Sequence, residues 1–197
     1  MVRAALTYIL LVVGLMKVFA ASPGGFGVDL RGRPVEQLAE TGTRLVVLVF
    51  AASDCPISNR YVPEIARLSK EFAGEGVRFW WVFPNPDDNA TVVARHNRDF
   101  SITETAEVGT LIDAQQKTVR LAHVTTTPEA AVFVAEGREL REVYHGRIDD
   151  RYISLGQERP QPQHHDLESA LAAAVAGNAV APPGGPPVGC SIVYLQK

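Results

Sequence analysis

The chain has 197 residues but only two cysteines, two methionines and two tryptophans. The cysteines, Cys55 and Cys190, lie far apart, so no Cys-x-x-Cys dithiol exists. Lysines and arginines form no cluster that could neutralise a phosphate backbone, which excludes nucleic acid as a partner. There is no internal repeat, and hence no solenoid. No apolar run reaches the ~20 residues that cross a bilayer. What is present is 46% hydrophobic and 21% charged residues. That composition suits one globular domain with a sizeable core and gives no grounds for two.

The amino terminus, "MVRAALTYILLVVGLMKVFAAS", begins with a basic residue, Arg3. An apolar run from about Ala4 to Leu15 and a small-residue exit at Val18-Phe19-Ala20 follow. This is the layout of a secretory signal peptide, so residues 1–20 are expected to be removed and the protein exported, to a periplasm or the extracellular space. A membrane becomes a partner only if that segment stays uncleaved as an anchor. Setting aside Arg3 and Lys17 leaves 17 Lys and Arg against 22 Asp and Glu, a net charge of −5. In an oxidising compartment two cysteines pair more readily than in a cytosol.

Residues 21–177 read as the domain. "SPGGFGVDLRGRPVEQL" suits a leading hairpin or loop, and "RLVVLVFA" is a continuous β-branched run fit for a strand buried on both faces. Tyr61, Ile65, Leu68 and Phe72 recur at helical spacing, predicting one helix from Ser58 to Phe72, kinked by Pro63 and ended by Gly74 and Gly76. "VRFWWVF" is a strand, "PNPDDN" a turn, and a helix is expected over Thr91–Phe100. "VGTLID" is a short strand, and "AQQKTVRLAHV" a short helix or turn. "EAAVFVA" and "LREVYHG" flank a Gly turn as a hairpin, and "HHDLESALAAAVAG" is a last helix with Asp166 as its N-cap. Strands alternating with helices, followed by a hairpin, predict an α/β fold whose central mixed sheet is flanked by helices. Trp80 and Trp81, adjacent in a strand, should enter the core on opposite faces. Residues 178–197, with "APPGGPPVG", form a Pro/Gly-rich C-terminal tail that carries Cys190.

Cys55 stands where a strand meets a helix. The first N–H groups of a helix lack partners and the local dipole is positive, so a thiolate there is stabilised and nucleophilic. Pro56 fits the first helical turn.

A hydrophobic strand, Cys55-Pro56 at a helix start, a proline some eight residues on and a "TTTP" loop before a hairpin together resemble the thioredoxin-like superfamily. "TTTPEAAVFVAEGRELREVYHGRIDDRY" is similar to the second half of exported redoxins of the TlpA-like and peroxiredoxin-like (AhpC-TSA) groups. The resemblance implies a thioredoxin-like fold, with Pro128 in a cis peptide bond against the active-site sulfur. It also implies that Pro56, Asn59, Thr127 and Arg147 border the substrate, the arginine as a group that stabilises a thiolate or polarises a peroxide. The partners implied are protein thiols and disulfides, or a peroxide.

The departures from that pattern are specific. Ser58 stands where the second cysteine of Cys-x-x-Cys belongs, and Asn59 where the copper-delivering Sco-like branch has one. Ala52 replaces the Thr or Ser that peroxiredoxins carry three residues before their cysteine. What remains is Cys190. A proline-rich segment of about ten residues spans on the order of 30 Å, enough to return the tail to the strand ends. Cys190 then either resolves Cys55 as an exchanging partner, staples the fold, or pairs with another molecule. The favoured function is thiol–disulfide exchange with Cys55 as nucleophile, Cys190 as resolving thiol and Pro128 shaping the groove. An atypical thiol peroxidase and a Sco-like copper-binding assembly factor are the alternatives. No cofactor motif is present. A copper site would need Cys55, Cys190 and a histidine to converge, and none of His96, His123, His145, His164 and His165 has a diagnostic spacing to Cys55. For "GRIDDRY" the plain reading is an exposed, salt-linked turn.

Overall fold

The computed structural model describes residues 25–195; the expected signal segment, 1–20, lies outside the described residues. A small antiparallel hairpin, β1 (Gly27–Val28) and β2 (Pro34–Val35), leads into β3 (Leu45–Phe50), every residue of which is buried. Two helices follow in place of the one expected: α1 (Pro56–Arg60) and α2 (Val62–Glu71). Pro63 does not kink a continuous helix. Its ring would collide with the carbonyl of Asn59 and it has no N–H to donate, so the chain breaks at Tyr61 and Pro63 opens the next helix.

The chain continues through β4 (Val77–Phe83), α3 (Ala90–Asp99), β5 (Val108–Ile112), α4 (Lys117–Ala122) and β6 (Thr126–Thr127). Asn89 caps α3, its side-chain oxygen accepting from Thr91 N and Val92 N. A long hairpin, β7 (Glu129–Glu136) and β8 (Glu139–Gly146), turns at Gly137, which has a positive φ of 69°. β9 (Tyr152–Ser154) and β10 (Gln157–Glu158) form a second small hairpin before α5 (Asp166–Val175) and β11 (Cys190–Ser191).

The main sheet has seven strands in the order β2-β1-β5-β4-β3-β7-β8. β3, β4 and β5 are parallel, and the β7–β8 hairpin adds antiparallel strands at β3, so the sheet is mixed. One face buries Val47, Val49 and Trp81 under Ile65 and Leu68 of α2, Val93 of α3, and Leu167 and Leu171 of α5. The other buries Val46, Leu48, Phe50 and Trp80 under Leu38, Val119 of α4 and Ile192 of the tail. The tryptophans therefore do part to opposite faces, and the Trp80 indole donates to Leu38 O at 2.9 Å. Among the described residues, the second face has one six-residue helix of its own. The tail completes its cover.

Two local expectations are corrected. Asp166 is the first residue of α5 rather than its cap, which is His165; its carboxylate is drawn away to Arg147 and to Gly184 N. "GRIDDRY" is no exposed turn, because Asp149 and Asp150 are both buried. Asp150 accepts from Gln163 N and His164 N and pairs with Arg159, and Asp149 accepts from the Tyr61 hydroxyl. Buried carboxylates need such partners.

Candidate active site

Register brings the site together. Phe50, the last residue of β3, lies opposite Glu129, the first of β7. The residues just after β3 therefore meet those just before β7, which sets Cys55 beside Thr127 and Pro128. The Thr127–Pro128 peptide bond is cis. Cys55 is the N-cap of α1, in extended backbone geometry, and Pro56 is the first helical residue. The Cys55 thiol donates to Thr127 O at 3.3 Å, and both residues are essentially without solvent contact.

The tail arrives at the same point. β11 pairs antiparallel with β6, Cys190 opposite Thr127 and Ser191 opposite Thr126. This pairing sets Cys190 against the residue whose carbonyl receives the Cys55 thiol, close enough for each cysteine to bear on the other's ionisation. Burial by itself raises the pKa of Cys55, but donation by Cys190 and by the Ser58 hydroxyl and N–H outweighs it, and the thiol is held below its ordinary value. Cys190 moves the other way, pushed up to about 12 by burial, by its hydrogen bond to Cys55 and by the negative charge there and at Asp54. The first proton to leave the pair is thus that of Cys55. Both cysteines are free thiols, so this geometry is the dithiol state.

The loop before Cys55 is pinned from below. The Ser53 N–H and hydroxyl both donate to Asp88, the former at 3.3 Å, and burial pushes the Asp88 carboxyl above its ordinary pKa. Asn59 donates to Ser53 O at 3.5 Å and accepts from His96 Nε2 at 2.6 Å; burial holds the His96 pKa low, which favours the neutral ring. Opposite, the Glu129 carboxylate accepts from Thr125 N and Thr126 N at 3.1 and 3.3 Å and so shapes the loop that carries Thr127.

Of the residues singled out from sequence, Cys55, Cys190, Thr127 and Pro128 converge. Pro56 is exposed at the helix start, and Asn59 supports the loop from below. Arg147 is engaged elsewhere: it pairs with Asp166 at 2.8 Å and lies against Gly184 and Gly185 of the tail. His123 is exposed. Among the described residues, the one trio of close His, Cys or carboxylate ligand atoms is Glu64, His165 and Glu168, which includes neither cysteine. Asp88, Glu129 and Gln116 had no sequence signal beyond being polar residues near turns, and His96 none beyond its place in an expected helix.

No protein-family model matches the chain, and no curated protein does. Solved structures do. A conserved protein of Geobacillus kaustophilus superposes with a TM-score of 0.68 at 21% identity, over 88% of this chain and 89% of that one. A hypothetical protein of Sinorhizobium meliloti 1021 gives 0.64 at 22% identity, over 79% and 82% of the two chains. A secreted disulfide oxidoreductase of Mycobacterium tuberculosis gives 0.48 at 15% identity, over 77% and 93%. The first two likenesses run through most of both chains and, with the sheet order and the Cys55–Pro128 juxtaposition, show a thioredoxin-like fold.

Proposed function

We propose that the protein is an exported thiol–disulfide oxidoreductase whose working pair is Cys55 and Cys190. The observation that carries this reading is the strand pairing that sets Cys190 opposite Thr127, whose carbonyl accepts from the Cys55 thiol. A purely structural cysteine gains nothing from an N-cap position whose surroundings lower its pKa.

The chemistry balances with these groups alone. The Cys55 thiolate attacks one sulfur of a partner disulfide, and the partner's other sulfur leaves as a thiolate with the electron pair of the broken bond. In the mixed disulfide Cys55 carries no charge. Two of the influences that raise the pKa of Cys190 are then gone, and its thiol gives up a proton more readily. The Cys190 thiolate attacks the Cys55 sulfur, the partner departs with its second thiolate, and the protein is left as the Cys55–Cys190 disulfide. The partner is reduced by two electrons and the protein oxidised by two. The steps run equally in reverse.

Export rests on the signal-like residues 1–20. Partners are protein thiols and disulfides, because what covers the buried sulfur is itself an extended chain segment carrying a thiol, paired in register with Thr126 and Thr127. A redox titration with thiol trapping tests the reading. A potential between about −120 and −270 mV places the pair among exchanging dithiols, whereas one below about −300 mV makes it a structural staple.

A further inference from the structure

The tail is held almost wholly by its main chain. Ile192 N donates to Thr125 O at 3.1 Å, and Val193 N to Asn85 Oδ1 at 3.1 Å. The side-chain amide of Gln116, itself 3% exposed, spans two tail residues: Nε2 donates to Val193 O at 2.6 Å, and Oε1 accepts from Leu195 N at 3.0 Å. Thr127 Oγ1 donates to Cys190 O at 3.3 Å. Along Cys190–Leu195, three positions are read by side chain. Cys190 sits opposite Thr127, which also receives the Cys55 thiol, Ile192 is 3% exposed within the second core face, and the Tyr194 hydroxyl reaches Val124 O. A Cβ at Gly189 would come within 2.1 Å of Thr127 O, so the residue before the cysteine must be very small. Val193 and Leu195 project outward, 58% and 45% exposed.

Contacts made to backbone rather than to side chains accept any extended segment that satisfies the few pockets. We propose that the groove formed by Thr127, Thr125, Asn85, Gln116 and the Ile192 pocket is a docking site for partner segments of the pattern glycine, cysteine, any residue, aliphatic residue. The tail is its tethered competitor. This rests on the exchange reading for its chemistry and adds the partner's sequence and a means of regulation. Gly184 N donates to Asp166 at 2.7 Å, and Arg147 lies against Gly184 and Gly185, so the tail has a second anchor upstream. The segment 186–189 between the anchors is the hinge on which Cys190–Leu195 lifts. A tethered segment competes at an effective concentration of about millimolar, so a weakly matched partner is refused and a well-matched one displaces it. Arg147 is a positioning residue for the tail.

The test uses the full-length chain carrying Cys190→Ser, with Cys55 as its one thiol. The probe is the peptide Gly-Cys-Ser-Ile-Val-Tyr-Leu, its cysteine carried as a mixed disulfide with thionitrobenzoate. Cys55 attacks the peptide sulfur, the sulfur–sulfur bond breaks, and coloured thionitrobenzoate leaves with the electron pair. A second peptide has serine in place of the isoleucine, and Ellman's reagent serves as the small disulfide. The expected result is that the isoleucine peptide reacts about tenfold faster than the serine peptide, the ratio for burying one aliphatic side chain. Adding Ile192→Ser to the protein, which loosens the competitor, should raise the isoleucine peptide's rate further. Because each peptide comparison is made on one protein sample, partial unfolding of a variant cancels from the ratio. Equal rates for the two peptides, with Ellman's reagent reacting, would overturn the docking proposal and leave the exchange reading standing. Failure of Cys55 to react even with Ellman's reagent would overturn both.

Discussion

The two thiols of the site are held in opposite ways. Cys55 is anchored by the body of the fold: β3 is buried along its whole length, β7 pairs with it in register, and Asp88 fixes the loop between strand and helix. Cys190 sits on a two-residue strand at the end of a Pro/Gly-rich tail, tied by backbone hydrogen bonds and one buried isoleucine. The same contact is rigid on one side and releasable on the other. An exchange pair needs that asymmetry, since one sulfur must keep its place while the other gives way to a partner.

Removing the rigid partner should have the largest effect. Cys55→Ser should abolish mixed-disulfide formation altogether, while Cys190→Ser should let a mixed disulfide on Cys55 accumulate. Mass spectrometry after acid quenching measures both. In the dithiol state neither variant loses a covalent bond, so both should remain folded. Loss of fold in Cys55→Ser would point to a structural staple.

Stability sharpens the contrast next. Leu48, wholly buried mid-sheet, should cost about 3–5 kcal/mol when cut to alanine. Ile192 packs against the same face with only 3% exposure, yet its segment can lift or collapse, so Ile192→Ala should cost no more than about 2 kcal/mol. Urea denaturation followed by fluorescence would decide; equal costs would mean that the tail is as much a part of the core as β3.

Much of the rigid half was readable from residues alone, and little of the releasable half. The β-branched run of β3, the Cys55-Pro56 junction and the TTTP loop each carry a local reason for their structure, so their meeting could be foreseen. The break at Tyr61 could not be placed from the apolar spacing of Tyr61, Ile65, Leu68 and Phe72. All four residues lie in α2 or at its caps and none in α1, so their spacing does not reach across the break, and Pro63 decides only whether the backbone kinks or restarts. Asp166 looked like a cap because capping is a local preference, but Arg147 and Gly184, distant in sequence, claim its carboxylate. Gln116 and Asn85 had no signal at all. A lone amide in a turn has no period, and its partners lie some eighty to one hundred residues onward in the tail. That Cys190 returns to Cys55 was reachable from the length and composition of the tail, but the backbone clamp that holds it was not.

A smaller effect is expected at Gly189. Gly189→Ala places a methyl against Thr127 O, an ungiving backbone atom, so the β6–β11 pairing must loosen. Cys55 should then be alkylated by iodoacetamide several-fold faster, on the order of the factor that 1 kcal/mol of tail displacement supplies. An unchanged rate would show that the tail does not shield Cys55.

The finest test concerns protons. In the reduced protein Cys190 donates to Cys55 and thereby favours the Cys55 thiolate, against burial, which opposes it. Cys190→Ala removes the donor and leaves the burial, so the midpoint of Cys55 alkylation against pH should move to the alkaline side. The reciprocal variant should move the other way. Cys190 stands at about 12 because of burial, its hydrogen bond to Cys55 and nearby negative charge. Cys55→Ser removes the thiolate and leaves burial and Asp54, so the Cys190 midpoint should fall. Midpoints are compared rather than amplitudes, so altered access to either sulfur does not enter. If the thiols were neighbours without a shared proton economy, neither midpoint would shift. Opposite shifts in the two variants would tie the releasable thiol to the chemistry of the rigid one.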